Sequence, residues 1–334
     1  MLKHKANNIL ILKNRAMGDS IMGLSSVQYL RSLYPNSKIY YGMPKWITKL
    51  YANVEIEADA VIDISLNSLG DWFKLWKKLK FLKIDLVYEM HQAGRSAKFF
   101  NIYSTLTGIP YYYHNHHLKE GTKVFDQGVI KSLIQRDLDG LYSLLTDQSA
   151  YPNFLDYQPT MNPKNHMDLE DGFVVFGVVA TRETKMWPLD HYIGLARLLK
   201  KKIKIPLSTS DVDRKIKEEI LKLNPSDNVE IVHIPLENLP LFMSKASLYI
   251  GNDTGLKHLA IATGIKSYTF FGPEPPNEWH PYDVNNHPYF YREGLECRTR
   301  EAHYCGLSTC ESMICLNQFY PSQVYEVIKR DLNE

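Results

Sequence analysis

The stretch from residue 247 to residue 279 constrains the fold of this chain more than any other part of the sequence. It begins with an apolar run at residues 248–250 and ends with another at 268–271, and each run is typical of a buried strand. Between them, a turn cluster at 251–255 precedes apolar residues at helical spacing, Leu256, Leu259 and Ala260, and Gly264 ends the helix. A strand, a polar loop, a helix and a strand in this order predict a doubly wound α/β sheet.

The polar loop between these two strands predicts a binding site. A helix that begins at Thr254 and Gly255 presents free backbone N–H groups and a positive dipole end, which suit a phosphate. Asp253 stands at the carboxyl end of the strand, where open α/β sheets bind their ligands, and His258 follows one turn into the helix. The alternative interpretation is a capped helix that carries a surface histidine.

A second strand–loop–helix unit opens the chain. An apolar run at residues 9–12 leads into a polar loop, and the helix that follows has an apolar stripe made of Ile21, Leu24, Val27, Leu30 and Leu33. Gly18 in the loop allows a tight turn and the close approach of a ligand. Asp19 either caps the helix or acts as a general base, because deprotonating a hydroxyl group needs a carboxylate within hydrogen-bond reach.

Four spaced features occur in a fixed order along the chain. They are Met17-Gly18-Asp19, Lys185 with Trp187-Pro188, Asp253-Thr254-Gly255 with His258, and Phe271-Gly272-Pro273, which Trp279 and Pro281 follow. Together they resemble the signature of glycosyltransferase family 9, the bacterial heptosyltransferases, and the resemblance covers nearly the whole chain. It implies an α/β protein of the GT-B type, in which two Rossmann-like doubly wound domains face each other across a cleft that holds the site.

The reaction that the resemblance implies is the inverting transfer of a sugar, a heptose from ADP-heptose, to a glycan acceptor, with Asp19 taking the acceptor proton. The implied donor-binding residues are Thr181, Lys185, Asp211, Asp253, Thr254, Gly255 and His258. A departing nucleoside diphosphate gains negative charge, which a fixed ammonium and backbone N–H groups stabilise, so no cofactor and no catalytic metal are required. The implied acceptor-binding residues are Met17, Gly18, Arg95, Lys98 and His117.

The sequence departs from the family pattern in one place. Family members commonly have a glycine near the acidic residue that holds the ribose, whereas residues 208–213 contain none. Either Asp211 or Asp213 makes the ribose contact, or this segment is an ordinary helix cap. Because of this departure, the sequence does not determine which nucleotide the donor carries. The acceptor is open as well, since a lipopolysaccharide core sugar, another surface glycan and a protein hydroxyl all fit the pattern.

Length and composition predict two domains. The chain of 334 residues is longer than a domain with one hydrophobic core usually is. Its hydrophobic content of 44% is that of a globular protein. We expect an acceptor-binding domain at residues 1–155, a linker at 156–171 and a nucleotide-sugar-binding domain at 172–318. The last helix, within residues 319–334, is expected to cross back to the first domain.

Charge and hydropathy limit the partners and the location. The net charge of +2 argues against a nucleic-acid-binding protein, and no apolar run reaches the length of a membrane span. Residues 1–8 are polar, so we expect no signal peptide and a cytoplasmic location. Residues 71–83 predict an amphipathic helix with lysines on its outer side. This helix is either an ordinary core-facing helix or a peripheral contact with the cytoplasmic face of the inner membrane.

Two clusters invite a metal interpretation. Near the C-terminus stand four cysteines, Cys297, Cys305, Cys310 and Cys315, and a set of four thiols is able to hold zinc or iron. No C-x-x-C pair is present, and Arg300 stands where the family usually has another cysteine, so reduced thiols or a local disulfide are favoured over a structural metal. The histidines at 114, 116 and 117 do not have the spacing of a known metal site.

Rival functions stay open from the sequence. One is a non-catalytic nucleotide-sugar-binding homologue, which would have no use for Asp19. Another is a nicotinamide-dependent dehydrogenase, but neither domain has a G-x-G-x-x-G loop after its first strand. A glycosyltransferase of the same fold that uses another nucleotide sugar or a protein acceptor is the third.

Overall fold

The structure is a computed structural model of the chain. It describes residues 6–92, 94–115, 119–120, 123–124, 131–145, 150–164, 170–298, 305, 307 and 309–332. The chain divides into two units, Met1–Asn162 and Pro163–Glu334, and the division falls within the stretch 156–171 that the sequence predicts as the linker. Each unit has its own sheet and its own hydrophobic core.

A parallel sheet forms the centre of the first unit. The strands in chain order are β1 (Asn8–Leu12), β2 (Lys38–Met43), β3 (Val54–Glu55), β4 (Ala60–Asp63), β5 (Leu86–Met90), β6 (Tyr111–His114), β7 (Lys119–Glu120) and β8 (Lys123–Val124), and the two-residue strand β9 (Asn162–Pro163) stands at the division of the chain. Within the described ranges, the parallel sheet has the order β4-β2-β1-β5-β6, while β3 pairs with β9 and β7 with β8. The apolar run predicted at residues 9–12 is the fully buried central strand.

Helices connect these strands. They are α1 (Met17–Met22), α2 (Leu24–Leu33), α3 (Lys45–Thr48), α4 (Leu69–Phe81), α5 (Gly94–Thr107) and α6 (Leu133–Tyr142), with 3₁₀ turns at Lys49–Tyr51 and Phe154–Asp156. The single helix predicted after β1 is in fact the pair α1 and α2. The Tyr41 hydroxyl donates to the Ser20 carbonyl at 2.7 Å and so occupies the acceptor that an unbroken helix offers to the Leu24 N–H. The break falls at Gly23, where a Cβ atom would lie 2.3 Å from the Tyr41 oxygen.

Helix α4 confirms the amphipathic helix predicted at residues 71–83. It begins at a capping box, in which the Ser68 hydroxyl accepts from the Asp71 N–H and the Asp71 carboxylate accepts from the Ser68 N–H. Its inner side buries Leu75 and Leu79 in the core of the first unit. The helix therefore has one face committed to packing and another that faces outward.

The second unit is also built on a parallel sheet. Its strands are β10 (Val174–Gly177), β11 (Ile203–Pro206), β12 (Val229–Val232), β13 (Leu248–Asn252), β14 (Ser267–Phe270) and β15 (Tyr289–Phe290). Their order is β12-β11-β10-β13-β14-β15. The two apolar runs that opened the sequence argument are β13 and β14, which confirms the strand–loop–helix–strand prediction. The two-residue strand β15 at the edge was not predicted.

Helices pack around this second sheet. They are α7 (Leu189–Leu198), α8 (Asp211–Lys222), α9 (Leu239–Ser244), α10 (Gly255–Ala262), α11 (Pro276–Trp279), α12 (Ile314–Asn317) and α13 (Pro321–Leu332), with 3₁₀ turns at Glu183–Lys185 and Leu236–Asn238. The buried face of α13, formed by Val324, Ile328 and Leu332, belongs to the core of the second unit. The crossing of this helix to the first domain stays a prediction. No helix in the described part of the chain is both long enough and apolar enough to cross a membrane.

The ring of one buried tyrosine leaves room only for glycine at two positions of the second sheet. Tyr249 on β13 is fully buried, and its ring lies over Gly177 at the end of β10 and Gly251 on its own strand. A Cβ atom would lie 2.1 Å from the Tyr249 oxygen at Gly177, and 2.4 Å from it at Gly251. These two neighbouring strands therefore tolerate no side chain at either position.

We expect Gly251→Ala to lower the free energy of unfolding by about 1–3 kcal/mol, because the added methyl group overpacks a filled site. Gly70→Ala is the matched control, since the nearest atom to a Cβ there is 3.6 Å away in an exposed turn of α4. Its stability should stay unchanged or rise by about 0.5 kcal/mol. Urea unfolding followed by circular dichroism measures both, and equal stability of the two variants would contradict the packing argument.

Candidate active site

The candidate site of the first unit lies at the carboxyl ends of β1 and β5. These two strands are neighbours, and the chain extends from β1 to one side of the sheet before it returns to the other side at β5. Ligands of open α/β sheets bind at such a switch point. Met17, Gly18 and Asp19 form the first turn of α1 there, and the N-cap residue Ala16 provides no side-chain cap.

Asp19 is a partly buried carboxylate in a mixed electrostatic environment. Burial raises its pKa above the ordinary value of 3.8, and the negative charge of Asp137 raises it further. The positive charges of Lys13 and Arg15 oppose that shift. A carboxylate with a raised pKa is a better proton acceptor than an ordinary one, which suits a general base.

A buried chain of polar side chains lies behind Asp19. Lys13, the residue after β1, is fully buried and forms an ion pair with the fully buried Asp137 of α6. The other carboxylate oxygen of Asp137 lies 2.9 Å from His114 Nε2, and His114 Nδ1 lies 2.6 Å from the Tyr88 hydroxyl. The sequence analysis missed Lys13 and Asp137, because only the fold brings residues so far apart in the chain together.

A cationic cavity opens at the same edge of the first sheet. It has a volume of about 790 Å³, and segments that follow β1, β2, β4 and β5 line it. Four of its lining residues are cations: Arg15, Lys45, Lys49 and Arg95. Arg95 Nη1 donates to the Asn67 side-chain oxygen at 3.0 Å, which holds the guanidinium at the rim. Of the other predicted acceptor residues, Lys98 is exposed on α5 outside this lining. His117 falls outside the described residues, so its prediction is not tested.

The second unit holds a cluster of buried charges at its own switch point, where β10 lies beside β13. Asp253, directly after β13, is buried, and its two carboxylate oxygens bind two different ammonium groups. Lys185 Nζ lies 3.0 Å from one oxygen, and Lys257 Nζ lies 2.5 Å from the other. Burial alone would raise the pKa of Asp253, but the two lysines hold it well below its usual value, so this carboxylate stays ionised.

Lys257 was not predicted from the sequence and is the innermost member of this cluster. It is fully buried, donates to the Trp279 carbonyl at 2.8 Å and lies 4.8 Å from the centre of the Phe271 ring. Burial lowers the pKa of Lys257 to about 8, although Asp253 opposes the shift. The signal available in the sequence was the i, i+4 spacing of Asp253 and Lys257 at the start of a helix.

Lys185 has a second set of neighbours at the surface of the cluster. Its ammonium lies 3.8 Å from the carboxylate of Glu274, which in turn forms an ion pair with Arg182. Lys185 and Arg182 both belong to the loop after β10, and Glu274 follows β14. Both cations of this loop are therefore held by carboxylates.

Asn252 ties together the backbone of the two loops that carry these charges. It is fully buried, and its side-chain oxygen accepts from the Trp187 N–H at 2.8 Å and from the Tyr192 hydroxyl at 3.1 Å. Its side-chain nitrogen donates to the Val178 carbonyl at 2.8 Å. The sequence analysis treated Asn252 as part of a turn and missed this role.

His258 is buried one turn into α10, so the alternative of a surface histidine is wrong. Its Nδ1 lies 2.5 Å from the Tyr282 hydroxyl. Burial lowers the pKa of His258 well below its ordinary value, and the nearby Lys257 lowers it further, so the ring is neutral. Thr254 is the N-cap residue of α10 and makes no side-chain cap hydrogen bond, and the helix begins at Gly255.

The remaining predicted donor residues lie at the surface. Thr181 is exposed in the loop after β10. Asp211 is exposed at the start of α8 and pairs with Arg214. The helix-cap alternative is observed for residues 208–213, because the Ser210 hydroxyl accepts from the Asp213 N–H at 3.2 Å and Asp213 accepts from the Ser208 N–H at 2.5 Å.

All four cysteines are free thiols, so the local disulfide considered from the sequence is not formed. Cys297 is exposed, and the other three are partly buried. Within the ranges that the structure covers, no three side chains of histidine, cysteine, aspartate or glutamate are grouped as metal ligands.

We expect Lys257→Met to lower the free energy of unfolding by about 3–5 kcal/mol, because it removes one partner of a buried charge pair. The loss also has a pH signature. The folded state holds the Lys257 proton less tightly than the unfolded chain, so this group adds stability as pH rises from about 8 to 10.5, and the variant lacks that rise.

The matched control is Lys215→Met on the exposed side of α8, which should change stability by less than about 0.5 kcal/mol. Urea unfolding of both variants between pH 7 and pH 10.5 provides the measurement. Full stability of Lys257→Met would mean that Lys185 alone neutralises Asp253.

Comparison with known proteins identifies the family. The sequence model of glycosyltransferase family 9 (heptosyltransferase) matches residues 72–304. Lipopolysaccharide heptosyltransferase 1 of Campylobacter coli is 33% identical over 125 residues, which are 35% of this chain and 34% of that protein. Lipooligosaccharide heptosyltransferase 2 of Haemophilus influenzae is 23% identical over 299 residues, which are 82% of this chain and 86% of that protein.

The solved structures support the fold. That of the ADP-heptose lipopolysaccharide heptosyltransferase II of Escherichia coli superimposes with a TM-score of 0.72 at 19% identity and covers 98% of each chain. The predicted α/β fold of the GT-B type is therefore confirmed. With a family match over more than half of its length, this chain belongs to glycosyltransferase family 9 and is a glycosyltransferase.

Proposed function

We propose that this glycosyltransferase moves a heptose from ADP-heptose, with inversion, to an acceptor sugar of lipopolysaccharide or a related surface glycan, and that it does so in the cytoplasm. The observation that carries the proposal is the charge cluster at the second switch point, where a buried carboxylate holds two ammonium groups beside the start of α10. The names of the relatives, heptosyltransferases of lipopolysaccharide and lipooligosaccharide, support the choice of sugar and acceptor.

The first step is the capture of the donor diphosphate by Lys185. In the structure this ammonium is bound to Asp253 and lies near Glu274. A diphosphate at the N–H groups of Thr254 and Gly255 attracts the same ammonium more strongly than one carboxylate does. Lys257 stays on Asp253 when Lys185 leaves, so the buried carboxylate never lacks a positive partner.

The second step is the displacement itself. The acceptor oxygen forms a bond to the anomeric carbon of the sugar while the bond from that carbon to the diphosphate oxygen breaks. The proton of the acceptor hydroxyl passes to the carboxylate of Asp19, whose raised pKa favours its acceptance. The negative charge that develops on the departing ADP is stabilised by Lys185 and the start of α10. When Lys185 moves to the diphosphate, the oxygen of Asp253 that it leaves accepts a hydrogen bond from the donor sugar, and His258 lies one turn further along α10.

The acceptor occupies the cationic cavity of the first unit. Arg15, Lys45, Lys49 and Arg95 are suited to the carboxylates or phosphates of an anionic glycan. Arg15 also acts on Asp19 through its charge, which links acceptor binding to the base. An anion bound at Arg15 weakens that influence, and the basicity of Asp19 then rises.

We expect Asp19→Asn to lower the rate of heptose transfer by about 10²–10⁴, because the acceptor proton loses its base. Affinity for ADP, measured by calorimetry, should stay at the wild-type value, since Asp19 does not take part in donor binding. The wild-type rate should fall on acidification with a midpoint above pH 3.8, the ordinary value for the carboxyl group. Unchanged transfer by the Asn variant would remove Asp19 from the mechanism.

We expect Lys185→Met to weaken ADP binding about tenfold to a hundredfold, because the diphosphate loses a charge-assisted contact. Lys202→Met is the matched control, since Lys202 pairs with Glu170 and Glu230 at the surface of the same unit. Calorimetry with ADP, and with UDP as the competing nucleotide, provides the measurement. Equal affinity of Lys185→Met and wild type for ADP would contradict the donor assignment.

A further inference from the structure

Helix α4 packs against the first unit with only one of its sides. Trp72 and Trp76 lie on that side, and their rings contact Phe99 and Tyr103 of α5 at centroid distances of 5.3 and 4.8 Å. Leu75 and Leu79 complete the buried stripe. The requirements of the core are therefore met by the inner side of the helix.

The outer side of α4 also carries large apolar side chains. Leu69 is 85% exposed, Phe73 is 60% exposed and Phe81 is 85% exposed. At 3.6 residues per turn, these three side chains project within an arc of about 120°. Single exposed apolar residues are normal on a protein surface, but three large ones on one face of one helix mark an interaction site.

Lysines surround these apolar side chains. Lys74, Lys77, Lys78 and Lys80 are exposed on the same side, and with Leu69, Phe73 and Phe81 they form what we call the α4 face. Residues 68–83 contain five lysines and one acidic residue, and so carry more positive charge than the net +2 of the whole chain. That acidic residue, Asp71, is occupied in capping the helix. In the described ranges, none of these lysines pairs with a carboxylate outside the helix.

We propose that the α4 face docks onto the surface of an anionic lipid bilayer. Leu69, Phe73 and Phe81 enter the boundary between headgroups and acyl chains, and the lysines bind the lipid phosphates around them. Lys77 Nζ already lies 4.4 Å from the Phe73 ring, so ring and ammonium occupy adjacent positions on the face. A convex, basic and apolar helix surface matches a bilayer better than it matches a protein partner, which would have to supply both acidic groups and a groove.

The position of α4 in the chain connects membrane docking with the cationic cavity. Ser65, Leu66 and Asn67 line the cationic cavity, and α4 begins two residues later at Leu69. A bilayer held against the α4 face therefore lies near the rim of that cavity. The sugar of a lipid-linked anionic acceptor then reaches the cavity while its lipid stays in the membrane. The docking itself depends on neither the proposed donor nor the proposed base.

The test is sedimentation of the full chain with vesicles of phosphatidylcholine alone and with vesicles that contain 30% phosphatidylglycerol, at about 50 mM and 500 mM salt. We expect binding to the anionic vesicles at low salt and much weaker binding in the other conditions. Phe73→Ser with Phe81→Ser should lower the partition coefficient at least about tenfold. Each Lys→Gln substitution on the α4 face should lower it about fivefold.

The control is Val212→Ser with Leu221→Ser on α8, where the side chains are 58% and 55% exposed among charges of both signs. This variant should partition like the wild type. All the substituted positions are exposed, so the melting temperature should stay close to that of the wild type.

Two results would overturn the proposal. One is equal binding of the Phe73→Ser/Phe81→Ser variant and the wild type to anionic vesicles, or no binding by either. The other is a dimer, seen by analytical ultracentrifugation, that this variant abolishes, because the α4 face would then belong to a second copy of the chain. Loss of heptose transfer in solution would not count against docking, since the vesicle measurement needs no substrate.

Discussion

The burial of Asp253 between Lys185 and Lys257 is the constraint on which the second unit depends. A carboxylate taken out of water is tolerated only when opposite charges are fixed beside it. Lys257 lies in the first turn of α10, and Lys185 lies in the loop after β10. Two separate segments of the chain must therefore converge on Asp253. Near that point Tyr249 lies against Gly177 and Gly251, which are register partners at the ends of β10 and β13, just before the two loops that carry Lys185 and Asp253.

The two units place carboxylates in opposite environments. Burial and the charge of Asp137 raise the pKa of Asp19, whereas Lys185 and Lys257 hold the pKa of Asp253 well below its usual value. A lysine is present in both cases, but in the first unit Lys13 is bound by Asp137 and so only partly compensates Asp19. In the proposed reaction, this separation gives one protein both a proton acceptor, Asp19, and a carboxylate that stays charged, Asp253.

Much of the architecture follows from local sequence, and much of the site does not. Apolar runs bounded by glycine and polar residues were sufficient for β1, β13 and β14, and the spacing of Trp72, Leu75 and Leu79 was sufficient for α4. The break between α1 and α2 depends on the hydroxyl of Tyr41, which comes from another strand. The Lys13–Asp137 pair joins residues that are 124 positions apart. Lys257 and Asn252 lay within the best-defined motif, yet their roles depend on partners such as Trp279 and Val178 that no spacing rule indicates.

The hydrogen bonds of Asn252 lower the conformational entropy that the loops of the second unit have left to lose when a ligand binds. Its amide group binds Val178, Trp187 and Tyr192 at once, so the fold itself immobilises the backbone on both sides of the Lys185 loop. The conformational entropy of these loops is lost during folding rather than at each encounter. In the proposed mechanism, the nucleotide therefore binds to a rigid receptor, in which the side chain of Lys185 is the part that rearranges.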